Sequence, residues 1–258
     1  HELVDGIRRA ASFAVDTLRI GQDDAALSAA VANASTGTAI VALGSRAAQF
    51  VAQLPTRAPT VDCMVAGDVN FQSAAPVVPL AVPVELQIRW IRQLMPATRK
   101  VAILYDPSQN RRIAADSAAQ LTAAGYKVMS EAVASPAELP PALARIGPAD
   151  ALLALPDSTV YSPELAKGIL LFTYRTRTPM IAFSDAWVRA GALYSLEWDY
   201  AELGAYCAAL ALHQMSSARN ASPPAMPRPH VTVNTAAAAQ LQLKWDAASL
   251  AGVEHVHE

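Results

Sequence analysis

Small and acidic polar residues follow nearly every apolar run of this sequence. They are Gly44-Ser45-Arg46, Gly67-Asp68, Asp106-Pro107-Ser108-Gln109-Asn110, Asp157-Ser158-Thr159, Ser184-Asp185 and Glu197. Carboxylates, hydroxyls and amides in these places give and take hydrogen bonds, which suits reversible capture of a small polar molecule. Ser45 opens a helix, where unpaired backbone N–H groups also favour an anion such as a ligand carboxylate. The same residue types cap helices, so Asp106, Asp157 and Asp185 carry two compatible readings, cap and ligand contact. Arg46 has the fork geometry for a carboxylate, but it reads first as a solvated helix residue. Glu197 stands where the chain is expected to recross between lobes, facing a cleft or fixing a hinge.

Covalent chemistry finds little support. Gly44-Ser45-Arg46 lacks the flanking glycines of a GxSxG elbow, and neither GxGxxG nor GxxxxGK[ST] occurs. None of the five histidines follows a strand of the repeating pattern, where a base would stand. His255 and His257 could chelate a metal loosely, but they read first as a frayed tail. No catalytic residue, metal or cofactor is expected. Trp90 and Trp187 read as packing residues, with Trp198 retained as a candidate pocket wall. Cys63 and Cys207 show no CxxC or metal spacing. They read first as two buried thiols, with a disulfide left open as the alternative.

The elements that must position these residues follow an α/β rhythm. A helix over 2–11 precedes an expected strand at 12–20. An Ala-rich helix opened by Asp23 and Asp24 runs to about Asn33. Residues 38–43 (TAIVAL) form a continuous apolar run, as parallel strands buried on both faces do. A helix to about Leu54 and a strand at 60–66 complete the first series. Residues 74–84 hold three prolines and no charge, and read as a crossover to a second lobe. The pattern restarts with a helix at 85–95. Strands follow at 100–105, 126–133, 150–155 and 179–183, with helices over 110–124, 137–146 and 162–175 between them. A strand at 192–197, a long helix at 200–216, a strand at 230–233 and a short helix at 235–243 close the chain. The expected lobes are 1–81 with 198–258, and 82–197, with the ligand cleft between them. Several linkers suit hinge closure.

The totals agree. The chain has 258 residues, 53% of them hydrophobic, enough for one large or two ordinary domains. A net charge of −2 without a basic block excludes a phosphate-binding surface, so no nucleic-acid partner is expected. No apolar run reaches the roughly 18–20 residues of a membrane span. The chain starts in a helix, and the first strand of an α/β lobe is expected to be missing, along with any leader.

Residues 94–107 (LMPATRKVAILYDP), 155–160 (LPDSTV), 179–193 (PMIAFSDAWVRAGAL), Asp199-Tyr200 with Leu203-Gly204, and Val233-Asn234 ahead of an Ala-rich helix follow one order and spacing. In these the chain resembles ABC transporter substrate-binding proteins of the tryptophan/tyrosine-receptor type. The resemblance covers about residues 1–245 and is strongest over 94–204. It implies a type I periplasmic-binding fold: α/β, two Rossmann-like lobes with parallel sheets joined by a multi-strand hinge. It implies an extracytoplasmic, monomeric receptor, periplasmic and secreted or lipid-anchored, which passes a small molecule such as an amino acid to a membrane permease. The alternative within the fold is a secreted sensory receptor signalling to a membrane partner, and the third reading is an α/β enzyme. The implied ligand residues are Ser45 and Asp68 in lobe one, Asp106, Asn110, Asp157, Ser158, Thr159 and Asp185 in lobe two, and Glu197 near the hinge. The chain departs from the family at Arg111-Arg112, at the 219–224 loop, at 239–245 and in the absent first strand.

Overall fold

The computed structural model describes residues 1–11, 13–67, 74–147, 149–216 and 222–258. The first stretch holds α1 (Glu2–Ala10), α2 (Asp24–Asn33), β1 (Ile40–Leu43), α3 (Ser45–Ala52), β2 (Thr60–Val65) and β3 (Val77–Pro79). The middle holds α4 (Val84–Leu94), β4 (Lys100–Tyr105), α5 (Arg111–Ala123), β5 (Lys127–Ala132), a 3-10 turn at Pro136–Glu138 and α6 (Leu139–Ile146). It continues with β6 (Ala151–Ala154), α7 (Pro163–Thr176), β7 (Met180–Ala182), α8 (Asp185–Arg189) and β8 (Tyr194–Glu197). The last stretch holds α9 (Tyr200–Met215), β9 (His230–Asn234), α10 (Thr235–Gln240) and β10 (His255–His257). Two compact units result, His1–Leu80 with Trp198–Arg228, and Ala81–Glu197 with Pro229–Glu258.

The first unit is built on a parallel sheet in the order β1-β2-β3. Asp23 starts α2 by accepting a bond from the Ala26 N–H at 2.9 Å. Leu27, Val31, Ala42, Ala48, Val51 and Val65 form a core between helices and sheet. Helix α1 lies against α9, and Cys63 of β2 is joined to Cys207 of α9 by a disulfide. The bond replaces the reading of two separate buried thiols. Two further expectations change. No strand forms over the described part of 12–20, and Phe13 and Leu18 are exposed. A strand needs a neighbour to satisfy its backbone, and β1 pairs only with β2 among the described residues. Within 74–84, Val77–Pro79 is a short strand rather than plain crossover. It lies at the edge of the described sheet, a place where a strand tolerates proline.

The second unit carries seven strands in the order β10-β9-β8-β7-β6-β4-β5. All pairs are parallel except β8 with β9. Alternate residues of β4 enter opposite cores. Val101 and Ile103 pack with α4 and α5, while Ala102 and Leu104 pack with α6 and α7. That two-sided burial is why KVAILY is an unbroken apolar run. Residues 198–258 were expected to return wholly to the first lobe, but Pro229–Glu258 belongs to the second unit. The cause is the β8–β9 pairing, from Tyr194 opposite Val233 to Glu197 opposite His230. The Trp245 indole adds a bond to the Leu94 carbonyl at 2.8 Å. The tail is not frayed: its last strand pairs with β9, with His255 beside Thr232 and His257 beside Asn234.

Candidate functional site

In open parallel sheets, small ligands bind beyond the C-terminal strand ends. In the second unit, the polar loops after β4 and β6 meet at that edge, because the two strands are direct neighbours. The backbone N–H of Asp106 donates to Asp157 Oδ2 at 2.6 Å. Asp157 Oδ1 accepts from the Thr159 and Val160 N–H groups at 2.8 and 2.9 Å, turning its own loop. Asp106 Oδ1 accepts from the Ser108 N–H and hydroxyl, both at 2.7 Å. Asp106 Oδ2 accepts from the Thr159 hydroxyl at 2.6 Å and the Gln109 amide at 2.9 Å. Gln109 Oε1 in turn accepts from the Ser158 hydroxyl at 2.9 Å. Asn110 donates to the Pro156 carbonyl at 2.9 Å.

The structure therefore gathers five of the expected residues, Asp106, Asn110, Asp157, Ser158 and Thr159, into one network. Asp106, Asn110 and Asp157 are buried within it, Thr159 is half-buried and Ser158 is exposed. The buried members spend their bonding capacity on each other, and the hydroxyl-bearing outer members form the solvent side. Ser108 and Gln109 are the members the sequence reading passed over as site residues. Their position inside the polar run Asp106–Asn110 was the only signal. Burial acts to raise the Asp106 pKa, but the hydrogen bonds from Thr159, Ser108 and Gln109 outweigh it and hold the carboxyl down at about 2. Burial, with the charge of Asp157 beside it, pushes the Tyr161 phenol well up. Tyr161 packs edge-on against Phe183 and Trp187, with both ring centroids at 5.8 Å, so Trp187 backs this region as packing.

Asp185 and Glu197 form a second group, after β7 and β8. Glu197 accepts from the Asp185 N–H at 2.9 Å and so holds the start of α8. The Asp185 carboxylate meets His257 Nε2 at 2.5 Å and Arg189 at 3.0 Å. His257 was not anticipated here, although the His-Val-His alternation is the period of a strand.

In the first unit, Ser45 is half-buried at the start of α3. Its hydroxyl donates to the Ala66 carbonyl at 2.6 Å and accepts from the Ala66 N–H at 2.8 Å. It thus ties the loop after β1 to the loop after β2. Gly44 precedes it with φ 85°, a left-handed conformation that glycine adopts without strain. Arg46 is exposed. Asp68 lies outside the described residues. Trp198 is 4% exposed and donates to the Leu80 carbonyl at 3.0 Å, so it is a buried strut and not a pocket wall.

A family model described as ABC transporter substrate binding protein matches residues 22–254. No curated protein sequence matches the chain. Among solved structures, the chain is similar to an ABC domain from Streptococcus pneumonia in complex with L-Trp, at 19% identity and a TM-score of 0.66, covering 99% of this chain and 94% of that one. It is similar to a substrate binding protein with adhesive properties from Clostridium difficile, in a ligand-free, open structure, at 15% identity and a TM-score of 0.74 over 100% and 96% of the two chains. It is also similar to an ABC transporter solute binding protein from Clostridium phytofermentas with bound L-rhamnose, at 11% identity and a TM-score of 0.52 over 93% of each chain. At these identities the likeness is one of fold, the type I periplasmic-binding fold.

Proposed function

The chain belongs to the family of ABC transporter substrate binding proteins, and from that premise we propose that it is an extracytoplasmic receptor that captures a small solute and delivers it to a membrane permease without transforming it. The observation that carries this reading is the hydrogen-bonded pair of loops after β4 and β6, locked through Asp106 and Asp157 at the C-terminal strand ends. A rim held rigid before the ligand arrives loses little conformational entropy on binding. Its outer hydroxyls at Ser108, Ser158 and Thr159 are neutral hydrogen-bonding groups, with the buried carboxylates behind them. That combination suits a polar, zwitterionic or hydroxyl-bearing solute. No helix among the described residues is long and apolar enough to cross a membrane.

Amino acids are the first class to test, because the Streptococcus protein that shares the fold holds L-Trp. Thermal unfolding is followed with L-Trp, other amino acids, sugars, nucleobases and small carboxylates. A true ligand at about 100 times its Kd stabilises the native state by roughly 2.7 kcal/mol, with saturation confirmed by calorimetry. Substitution of Ser158 and Thr159 by Ala together is expected to weaken that ligand by about tenfold, the loss of one to two net hydrogen bonds. A panel that produces no saturable shift would sink the reading of a small-solute receptor for these classes.

A further inference from the structure

We propose that His230, Glu254 and His255 form a binding site for a divalent transition metal of the Zn2+ class, which pins the C-terminal strand β10 to β9. Among the described residues, these three are the group of metal-ligating side chains whose donor atoms converge, all within 4.8 Å of one another. The backbone builds the arrangement. Parallel pairing sets His255 beside Thr232, two residues along β9 from His230, so both imidazoles stand on one face of the sheet. The Glu254 N–H donates to the Val231 carbonyl at 3.0 Å, which fixes the third residue at the strand entry. His230 Nδ1 and Glu254 Oε2 are 3.2 Å apart, and the two imidazole centroids are 6.1 Å apart.

Those separations suit the chemistry. Zinc bonds of about 2.0–2.2 Å to imidazole nitrogen and carboxylate oxygen place tetrahedral donors roughly 3.3 Å from each other. The His230–Glu254 pair already has that spacing, and His255 closes the triangle by a small side-chain turn at an exposed position. Two imidazoles and one carboxylate are a borderline donor set. They favour Zn2+, Ni2+ or Cu2+ over Ca2+ or Mg2+, which take oxygen ligands. Half-burial of His230 and exposure of the other two leave room for water to complete the shell. The site binds two strands; β10 is also held by its ladder with β9, by the Thr235 hydroxyl donating to the His257 carbonyl and by the His257–Asp185 contact. It also holds the chain next to Pro229, where it re-enters the second unit.

The test is calorimetric titration of Zn2+ into chelator-treated protein, repeated with Ca2+. One equivalent of Zn2+ is expected to bind saturably, with no comparable Ca2+ binding. His255→Ala and Glu254→Gln, each at an exposed position, should weaken Zn2+ by about tenfold or more, since even loss of an outer-shell partner has that effect. His213→Ala, on α9 in the other unit, should leave it unchanged. Hydrogen exchange supplies a second readout: Zn2+ should slow exchange of the β10 amides in the parent protein and not in His255→Ala. Absence of saturable Zn2+ binding overturns the proposal, as does binding that survives both substitutions.

Discussion

Asp106 gives both carboxylate oxygens to its own neighbours, and this makes it the most informative single residue of the molecule. Its folded pKa of about 2 lies below the ordinary 3.8. The carboxylate form is therefore favoured by folding, and the stability it contributes is fully present above pH 4. That contribution, about 2 kcal/mol, is lost as pH falls through the window from about 4 to 2. Urea unfolding at pH 5 and pH 2.5 is expected to reveal the difference in the parent protein, with a smaller slope against pH in Asp106→Asn. Equal slopes would mean the carboxylate is not held as described. Asp157→Ala has a different signature. It strands the buried Asp106 N–H as well as those of Thr159 and Val160, at a cost of roughly 1–3 kcal/mol for each group water cannot reach, with little dependence on pH above 5. The residue types after β4 and β6 were legible in sequence as candidates for the site. Their mutual satisfaction was not, because it depends on β4 and β6 being adjacent in the sheet although 51 positions separate Asp106 from Asp157.

At the scale of elements, the contact of α1 with α9 sets the tightest constraint in the first unit. A Cβ on Gly6 would collide with the Ala201 carbonyl, and one on Gly204 with the Leu3 carbonyl. The two helices approach backbone to backbone, each through a glycine of the other's contact face. Gly204→Ala is expected to destabilise the protein by about 1–3 kcal/mol through forced separation of the helices, where alanine ordinarily improves a helix interior over glycine by about 0.5–1 kcal/mol. Gly168→Ala on α7, where nothing lies within 4 Å of the added carbon, should be neutral or slightly stabilising. Thermal melts of the pair decide the matter, and a stabilised Gly204→Ala would mean that α1 does not dock as described. The helices themselves were readable from caps and periodicity, as Asp23 for α2 illustrates. Strands were readable where both faces are buried, as in β4 and β6. The reading failed at 12–20 and at 255–257, where strand formation is decided by whether a partner lies alongside rather than by the segment's own residues.

The whole molecule is two units threaded by one chain; each is assembled from two stretches, and those of the first, His1–Leu80 and Trp198–Arg228, lie farther apart in sequence than those of the second. Only noncovalent packing would join those pieces were it not for the disulfide between Cys63 and Cys207, which spans 144 positions and passes outside the whole middle stretch of the chain. Sequence alone left the pairing open, since nothing local connects β2 with α9. Cross-links that close long loops restrict the unfolded chain most, and loss of such a bond costs about 2–5 kcal/mol. Cys63→Ala with Cys207→Ala is therefore expected to lower the midpoint of denaturant unfolding, and the parent protein in reductant should fall to the same value. The second unit holds neither cysteine, so a resolved second transition belonging to it should not move. This also bears on where the protein works. Such bonds persist in oxidising compartments and are rare where thiols are kept reduced, as the proposed extracytoplasmic role requires. Protein recovered from an oxidising periplasm should show no free thiol and the higher midpoint. Free thiols in that material, with no response to reductant, would remove both the staple and its support for the location.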